Sequence, residues 1–318
     1  MLANLKKIDH LSVTLLMDNF TDRLLPTSLH AKRPPMVKEE RFLPPPIAEH
    51  GFSAIIEIQY NKDKINRFLF DTGVSKNGII FNADLFGIDL KNIDAIILSH
   101  GHLDHFTGIV STLQQIAKPI DVIVHPDAFQ RRWLFFPDGT KAMMPVLDEK
   151  ELKDHGAIIH KNERSSFLPT EDPHLLITGE IPRETSFEKG FPLQYAEIPD
   201  KKEFTHDPLI KDDQAIVVNI EGKGLVIITG CGHAGIVNTL NYAKKLLDTY
   251  KIHAILGGFH LTGNIYEQAI EPTITELQNA NPDYIIPCHC TGWKATNRII
   301  QIMSEKFIQT SVGTSFSF

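Results

Sequence analysis

Apolar runs rich in β-branched residues recur along the chain, and amphipathic stretches follow several of them. Alternation at 11–17 predicts a strand. Runs at 54–60 and 65–70, joined by Asn61-Lys62-Asp63-Lys64, predict a hairpin, and so do 215–220 and 225–228 around Glu221-Gly222-Lys223-Gly224. Shorter buried strands are expected at 93–98, 120–126, 175–183, 255–256 and 284–286. Helical spacing marks 108–116, 236–247, 267–280 and 294–303. Residues 26–48, with their Pro-Pro and Pro-Pro-Pro runs, suit neither a regular helix nor a central strand. They read as a surface linker or as a loop covering a pocket. Residues 129–170 read as an insertion, and 191–208 as a loop with scattered charges.

The strand patterns end in chemistry. Ser99-His100-Gly101-His102-Leu103-Asp104-His105 follows the run at 93–98. In extended backbone His100 and His102 point to one side, while Asp104 and His105 continue past the bend toward a second point. Imidazole and carboxylate suit zinc, and also manganese or iron. Two metals roughly 3.5–4 Å apart can hold one water between them. Similar strand ends carry Asp71-Thr72-Gly73, Gly230-Cys231-Gly232-His233, Gly257-Gly258-Phe259-His260 and Cys288-His289-Cys290-Thr291. Asp71 would orient a ligand histidine or cap its own turn. His260 would meet the substrate as a hydrogen-bond donor or general acid, or sit in the core. Strand alternation would turn Cys288 and Cys290 away from the side that His289 faces. Glu180 and Arg183 are candidate substrate contacts or an exposed ion pair, and Thr291 is a further candidate contact.

The HxHxDH pattern after a buried strand resembles the metallo-β-lactamase superfamily. That resemblance implies an α/β fold, the four-layer αβ/βα sandwich, over one domain spanning 1–318. It implies that His100, His102 and His233 hold one metal, that Asp104, His105 and His289 hold another, and that Asp71 lies beneath them. The reaction would use Asp104 and His260. Many members place a metal-bridging aspartate after Thr-Gly, where this chain has Cys231. Its thiol is a bridging thiolate or a small buried group. MDN at 17–19, EHGFS at 49–53, FDTG at 70–73, TGEIPR at 178–183, TGCGHAGIVN at 229–238, GGFHL at 257–261 and PCHCTG at 287–292 resemble one branch, that of the dihydropterin ribofuranosyl-aminobenzene phosphate synthases.

The expected protein is thus a dinuclear, zinc-dependent hydrolase or transferase for a small phosphorylated or ester substrate. The alternative is a non-catalytic, metal-containing binding protein. A net charge of −7 disfavours a nucleic-acid partner. No apolar run reaches the length of a membrane span. Three cysteines make no disulfide framework and fit a reducing cytoplasm. The first residues lack the apolar core of a signal peptide. Oligomeric state is left open.

Overall fold

A computed structural model describes residues 5–169, 171–201 and 203–318. The first four residues of the N-terminal segment read above, and Thr170 at the end of the expected insertion, lie outside the described residues.

An eight-stranded sheet runs in the order Ala157–Lys161, Ile120–Val124, Ala95–Ile97, Lys64–Phe70, Ser53–Tyr60, His10–Met17, Ser315–Ser317 and Ala31–Lys32. Its first four strands are mutually parallel and the rest antiparallel. A six-stranded sheet runs Ser166–Leu168, Leu175–Ile177, Ala215–Ile220, Gly224–Thr229, Ile252–Gly257 and Tyr284–Pro287. Its last three strands are parallel. Parallel neighbours need long crossovers, which helices Ile236–Leu247 and Glu267–Ala280 provide.

Side-chain alternation makes three apolar layers from two sheets. Ala95 and Ile97 of one sheet join Val226 and Ile228 of the other between the sheets. Ile96 and Leu98 instead meet Ile79 and Ala83 of helix Gly78–Phe86, and Ile109 and Leu113 of helix Ile109–Ile116. Leu225 and Ile227 meet Leu240, Ile274 and Ile299 on helices Ile236–Leu247, Glu267–Ala280 and Trp293–Met303. Each fully buried aliphatic residue contributes about 1.5–3 kcal/mol of transfer free energy. A strand with both faces buried reads as a near-continuous apolar run, as 224–229 does. The result is the helix–sheet–sheet–helix sandwich. The strand ends carrying Asp71, His100, Cys231, His260 and His289 gather along one edge of it.

Three stretches carry structure that the sequence reading did not place. Within 129–170, Ala157–Lys161 joins the large sheet and Ser166–Leu168 the six-stranded one. Residues 191–208 are not simply a loop. Gln194–Ile198 pairs with Glu203–His206 on one side and Arg132–Phe135 on the other, and Lys141–Met143 completes a small sheet. These strands are short and interleave charge with aromatics, so they lack a simple period-two signal. Within 26–48, Ala31–Lys32 adds to the large sheet and Val37–Lys38 pairs with Arg41–Phe42. Proline's missing donor is tolerated here because these strands lie at sheet edges or in a separate two-stranded ribbon. Among the described residues no helix is long and apolar enough to cross a membrane.

Candidate metal centre

Two donor groups converge at the strand ends. His100, His102 and His233 form one. Asp104, His105, Cys231 and His289 form the other. Within each group the ligand atoms lie within 4.8 Å of one another. Cys231 and His233 also lie within that distance of His260. Small residues allow this crowding. A Cβ at Gly230 would come 2.3 Å from Ser99 Oγ, and one at Gly101 would come 2.3 Å from the Ala128 carbonyl.

Three of the imidazoles, those of His100, His105 and His289, are held from behind. Asp71 is fully buried and accepts from Ser99 N and Ser99 Oγ, both at 2.6 Å, and from His105 Nδ1 at 2.6 Å. Ser99 Oγ in turn lies 2.9 Å from His100 Nδ1. His289 Nδ1 donates to Asn19 Oδ1 at 2.9 Å, and its backbone N–H donates to Asp18 at 2.9 Å. The MDN stretch therefore braces His289, a role the sequence reading did not assign. Tied in this way, His100 and His289 each leave a buried Nε2 with no hydrogen-bond partner. Buried imidazole nitrogens are rarely left so. A ligand histidine uses one nitrogen for metal and ties the other to protein, so the donor set fits metal ions.

His102 is tied in the opposite sense. Its Nε2 donates to Gln194 Oε1 at 2.6 Å, and its Nδ1 lies 3.0 Å from His233 Nε2. Gln194 donates onward to Asp207 at 2.9 Å. Arg132, only 2% exposed, lies between Asp207 and a two-pronged contact with the buried Asp212. Asp212 accepts from Gly101 N at 2.7 Å. Its neighbour Asp213 accepts from Ala234 N at 2.7 Å, and Gln214 binds the Leu98 and Ser99 carbonyls. Residues 212–214 thus join the His100–His102 turn to the His233 turn. Sequence reasoning missed this set. The available signal was a pair of acids directly against the apolar run at 215–220.

Charge is divided between the two groups. Burial and the neighbouring imidazoles keep His100 and His233 well below the usual histidine range. Burial and Arg132 bring His102 to about 4. These three are neutral, the form that binds metal. Burial opposes charge on His105, but Asp104 and Asp71 outweigh it and raise the group to about 9. Burial would also raise Asp104, yet His105 and His289 hold its carboxyl far below the usual range. Asp104 Oδ2 lies 3.3 Å from His289 Nε2 and 3.6 Å from His105 Nε2. Burial pushes the Cys231 thiol upward, and its sulfur lies 3.1 Å from His105 Nε2.

His260 lies beside the first group, its ring 4.0 Å from that of His233. Its Nδ1 is buried without a partner, as is the hydroxyl of Tyr266, whose ring lies 4.6 Å away. Phe191 lies near His102, His233 and His260, giving this side an aromatic wall. Asp71, His260 and His289 all have positive φ, at 59°, 43° and 48°. Non-glycine residues pay for this conformation and keep it where the surroundings over-determine it.

Other candidates fall outside the cluster. Glu180 is exposed beside Lys211, and Arg183 donates to the Ile181, Leu209 and Ile210 carbonyls. Thr291 is fully buried and accepts from Phe259 N at 3.1 Å, so it holds the His260 turn rather than facing a substrate. Cys290 does not turn away as alternation implied. Residues His289–Thr291 form a 3-10 turn, and the Cys290 thiol donates to the Cys231 carbonyl at 3.2 Å. Cys288 packs between the sheets.

The model of the metallo-beta-lactamase superfamily matches residues 51–247, and the chain belongs to that superfamily. A 7,8-dihydropterin-6-methyl-4-(beta-D-ribofuranosyl)-aminobenzene-5'-phosphate synthase of Methanocaldococcus jannaschii is 29% identical over the whole of both chains. An uncharacterised protein of the same organism is 32% identical over 84% of this chain and 92% of its own. Among solved structures, Tm1679, described as a metal-dependent hydrolase of the beta-lactamase superfamily, superposes with a TM-score of 0.72. It is 22% identical, with 96% of this chain and 98% of that one covered.

Proposed function

We propose that this chain, as one domain over 1–318, is a hydrolase or transferase that uses two divalent metal ions, zinc foremost, on a small phosphorylated or ester substrate. The observation that carries the reading is the pair of convergent donor groups with buried, unpartnered imidazole nitrogens aimed at them. His100, His102 and His233 would hold one ion. Asp104, His105 and His289 would hold the other, and Cys231 would offer it a sulfur donor. When bound, such ions bring a water toward ionisation near neutrality and stabilise charge on an attacked phosphorus or carbon. Asp71, Gln194 and Asn19 keep the ring orientations. Phe191 and Tyr266 would give a substrate apolar contact on the His260 side. The synthase named above supports a ribosyl phosphate as the first substrate class to try. Three unbridged cysteines support a reducing, cytoplasmic setting.

The test is turnover of generic phosphodiester and ester substrates by protein whose metal content has been measured. Activity should vanish with a chelator and return with zinc. A fully loaded protein inert to the whole panel would favour the binding-protein alternative.

Two residues give finer checks. His260 would donate a hydrogen bond or proton that matters chiefly in the transition state. His260→Ala should keep both metals while losing roughly 10²–10⁴ in kcat. Loss of a metal would make His260 a ligand. Gln194 fixes the tautomer of His102 through one hydrogen bond. Gln194→Ala should weaken metal binding by about 10–100-fold in chelator competition, with the fold intact by circular dichroism. Unchanged affinity would remove Gln194 from the site.

A further inference from the structure

Two thiols meet at this centre, and the metal assignment uses only one of them. Cys231 follows strand Gly224–Thr229 and Cys290 follows strand Tyr284–Pro287, with Ile252–Gly257 lying between those strands. Both residues are 3% exposed. The Cys290 thiol donates to the Cys231 carbonyl at 3.2 Å, which brings the second sulfur against the Cys231 backbone. Gly258 makes the approach possible. A Cβ there would lie 2.6 Å from Cys290 Sγ and 3.1 Å from Cys231 Cα. Cys288 takes no part, since its side chain packs between the sheets. The centre itself reaches solvent, since the Asp104 side chain keeps 13% of its surface exposed and His260 is half-buried.

We propose that Cys231 and Cys290 are a modification site: a dithiol that peroxide converts to a disulfide, in competition with metal binding at Cys231. The competition rests on the reading of Cys231 as a ligand. In the first step one sulfur attacks hydrogen peroxide, the O–O bond breaks, and a sulfenic acid and one water form. In the second, the other thiol attacks the sulfenic sulfur, the S–O bond breaks, the S–S bond forms, and a second water leaves with the remaining proton. The sulfur pair loses two electrons and the peroxide gains them. A thiol reductant reverses the change by exchange. Disulfide sulfur is no thiolate, and its new bond draws Cys231 Sγ from its position 3.1 Å from His105 Nε2.

The experiment uses the full chain, metal-free or loaded with zinc. Hydrogen peroxide is applied and quenched, free thiols are counted, and peptides are mapped by mass. In metal-free protein two of the three cysteines should disappear. The peptides holding Cys231 and Cys290 should be cross-linked, and a reductant should release them. The oxidised protein should bind one zinc fewer. With free zinc at 100 times its Kd, cross-linking should slow by about 100-fold, the mass-action protection of an occupied ligand. Cys290→Ser should bind zinc normally and give no cross-link, whereas Cys288→Ser should cross-link as the parent does. Absence of the 231–290 link in metal-free protein, or a link to Cys288, overturns the dithiol. A link that forms equally fast with zinc bound overturns the competition and Cys231 as a ligand. Neither arm measures turnover, so the hydrolase reading is tested separately.

Discussion

Arg132→Met should cost the metal-free protein about 3–5 kcal/mol at neutral pH, the usual result of stranding a buried charge by removing its partner. Methionine restores much of the lost volume, so the loss is electrical rather than a cavity effect. Arg132 neutralises the fully buried Asp212 and helps to hold Asp207. Its guanidinium overcomes the burial penalty and keeps Asp212 at about 2, against an ordinary value of 3.8. A carboxyl depressed in the folded state stabilises the fold above its unfolded pKa, and this is lost as pH falls toward 2. Without Arg132 the sign reverses. The Asp212 pKa rises above its unfolded value, so the variant's deficit is full at pH 7 and shrinks as pH falls through the acid range. Denaturant unfolding of both proteins at several pH values reads this directly. Arg132→Met combined with Asp212→Asn should recover part of the loss, because asparagine still accepts from Gly101 N and carries no charge. A deficit that stayed constant with pH would place the role of Arg132 in packing.

The parts legible in the sequence are those whose signal is local. Period-two and period-3.6 patterns survive in one strand or one helix, so Glu267–Ala280 and Ile236–Leu247 are found at their observed limits. The proposed ligand residues crowd at strand ends because the fold presents those ends together, and His100, His233, His260 and His289 each follow one of them. The support of the site has no such signature. His102 and Gln194 are 92 positions apart, Arg132 and Asp212 are 80 apart, and Gly101 and Asp212 are 111 apart. Nothing near Gln194 distinguishes it from an exposed polar residue in a short strand. Cys290 escapes the pattern for a different reason: period-two alternation ends at Pro287, and the chain has left the sheet for a turn by His289. Thr291 looks like a substrate contact in the sequence because its hydrogen-bond partner, Phe259 N, arrives from another strand end.

The largest effect on the centre is expected from Asp104→Ala. Besides Cys231, the six proposed ligand side chains divide three and three, and Asp104 is the only carboxylate among them. Its Oδ2 reaches toward both His105 and His289, so it is the charge that gathers the second group. Its charge also does more than that of Asp71 to sustain the protonated form of His105. The first group does not depend on it. His100 is held through Ser99, His102 through Gln194, and His233 approaches His102 directly. The variant should therefore fall from two metals per chain to one, while keeping its circular dichroism and melting transition. Activity should drop by more than the ~10²–10³ typical of losing a single electrostatic group from an active site, because a whole cation goes with it. Metal analysis after exhaustive dialysis measures the first effect and turnover the second. Loss of both metals would mean that Cys231 couples the groups as an obligatory bridge, and then Cys231→Ala should reproduce it. Equal metal content in parent and variant would show that Asp104 is no ligand, and the two-ion assignment would fall with it.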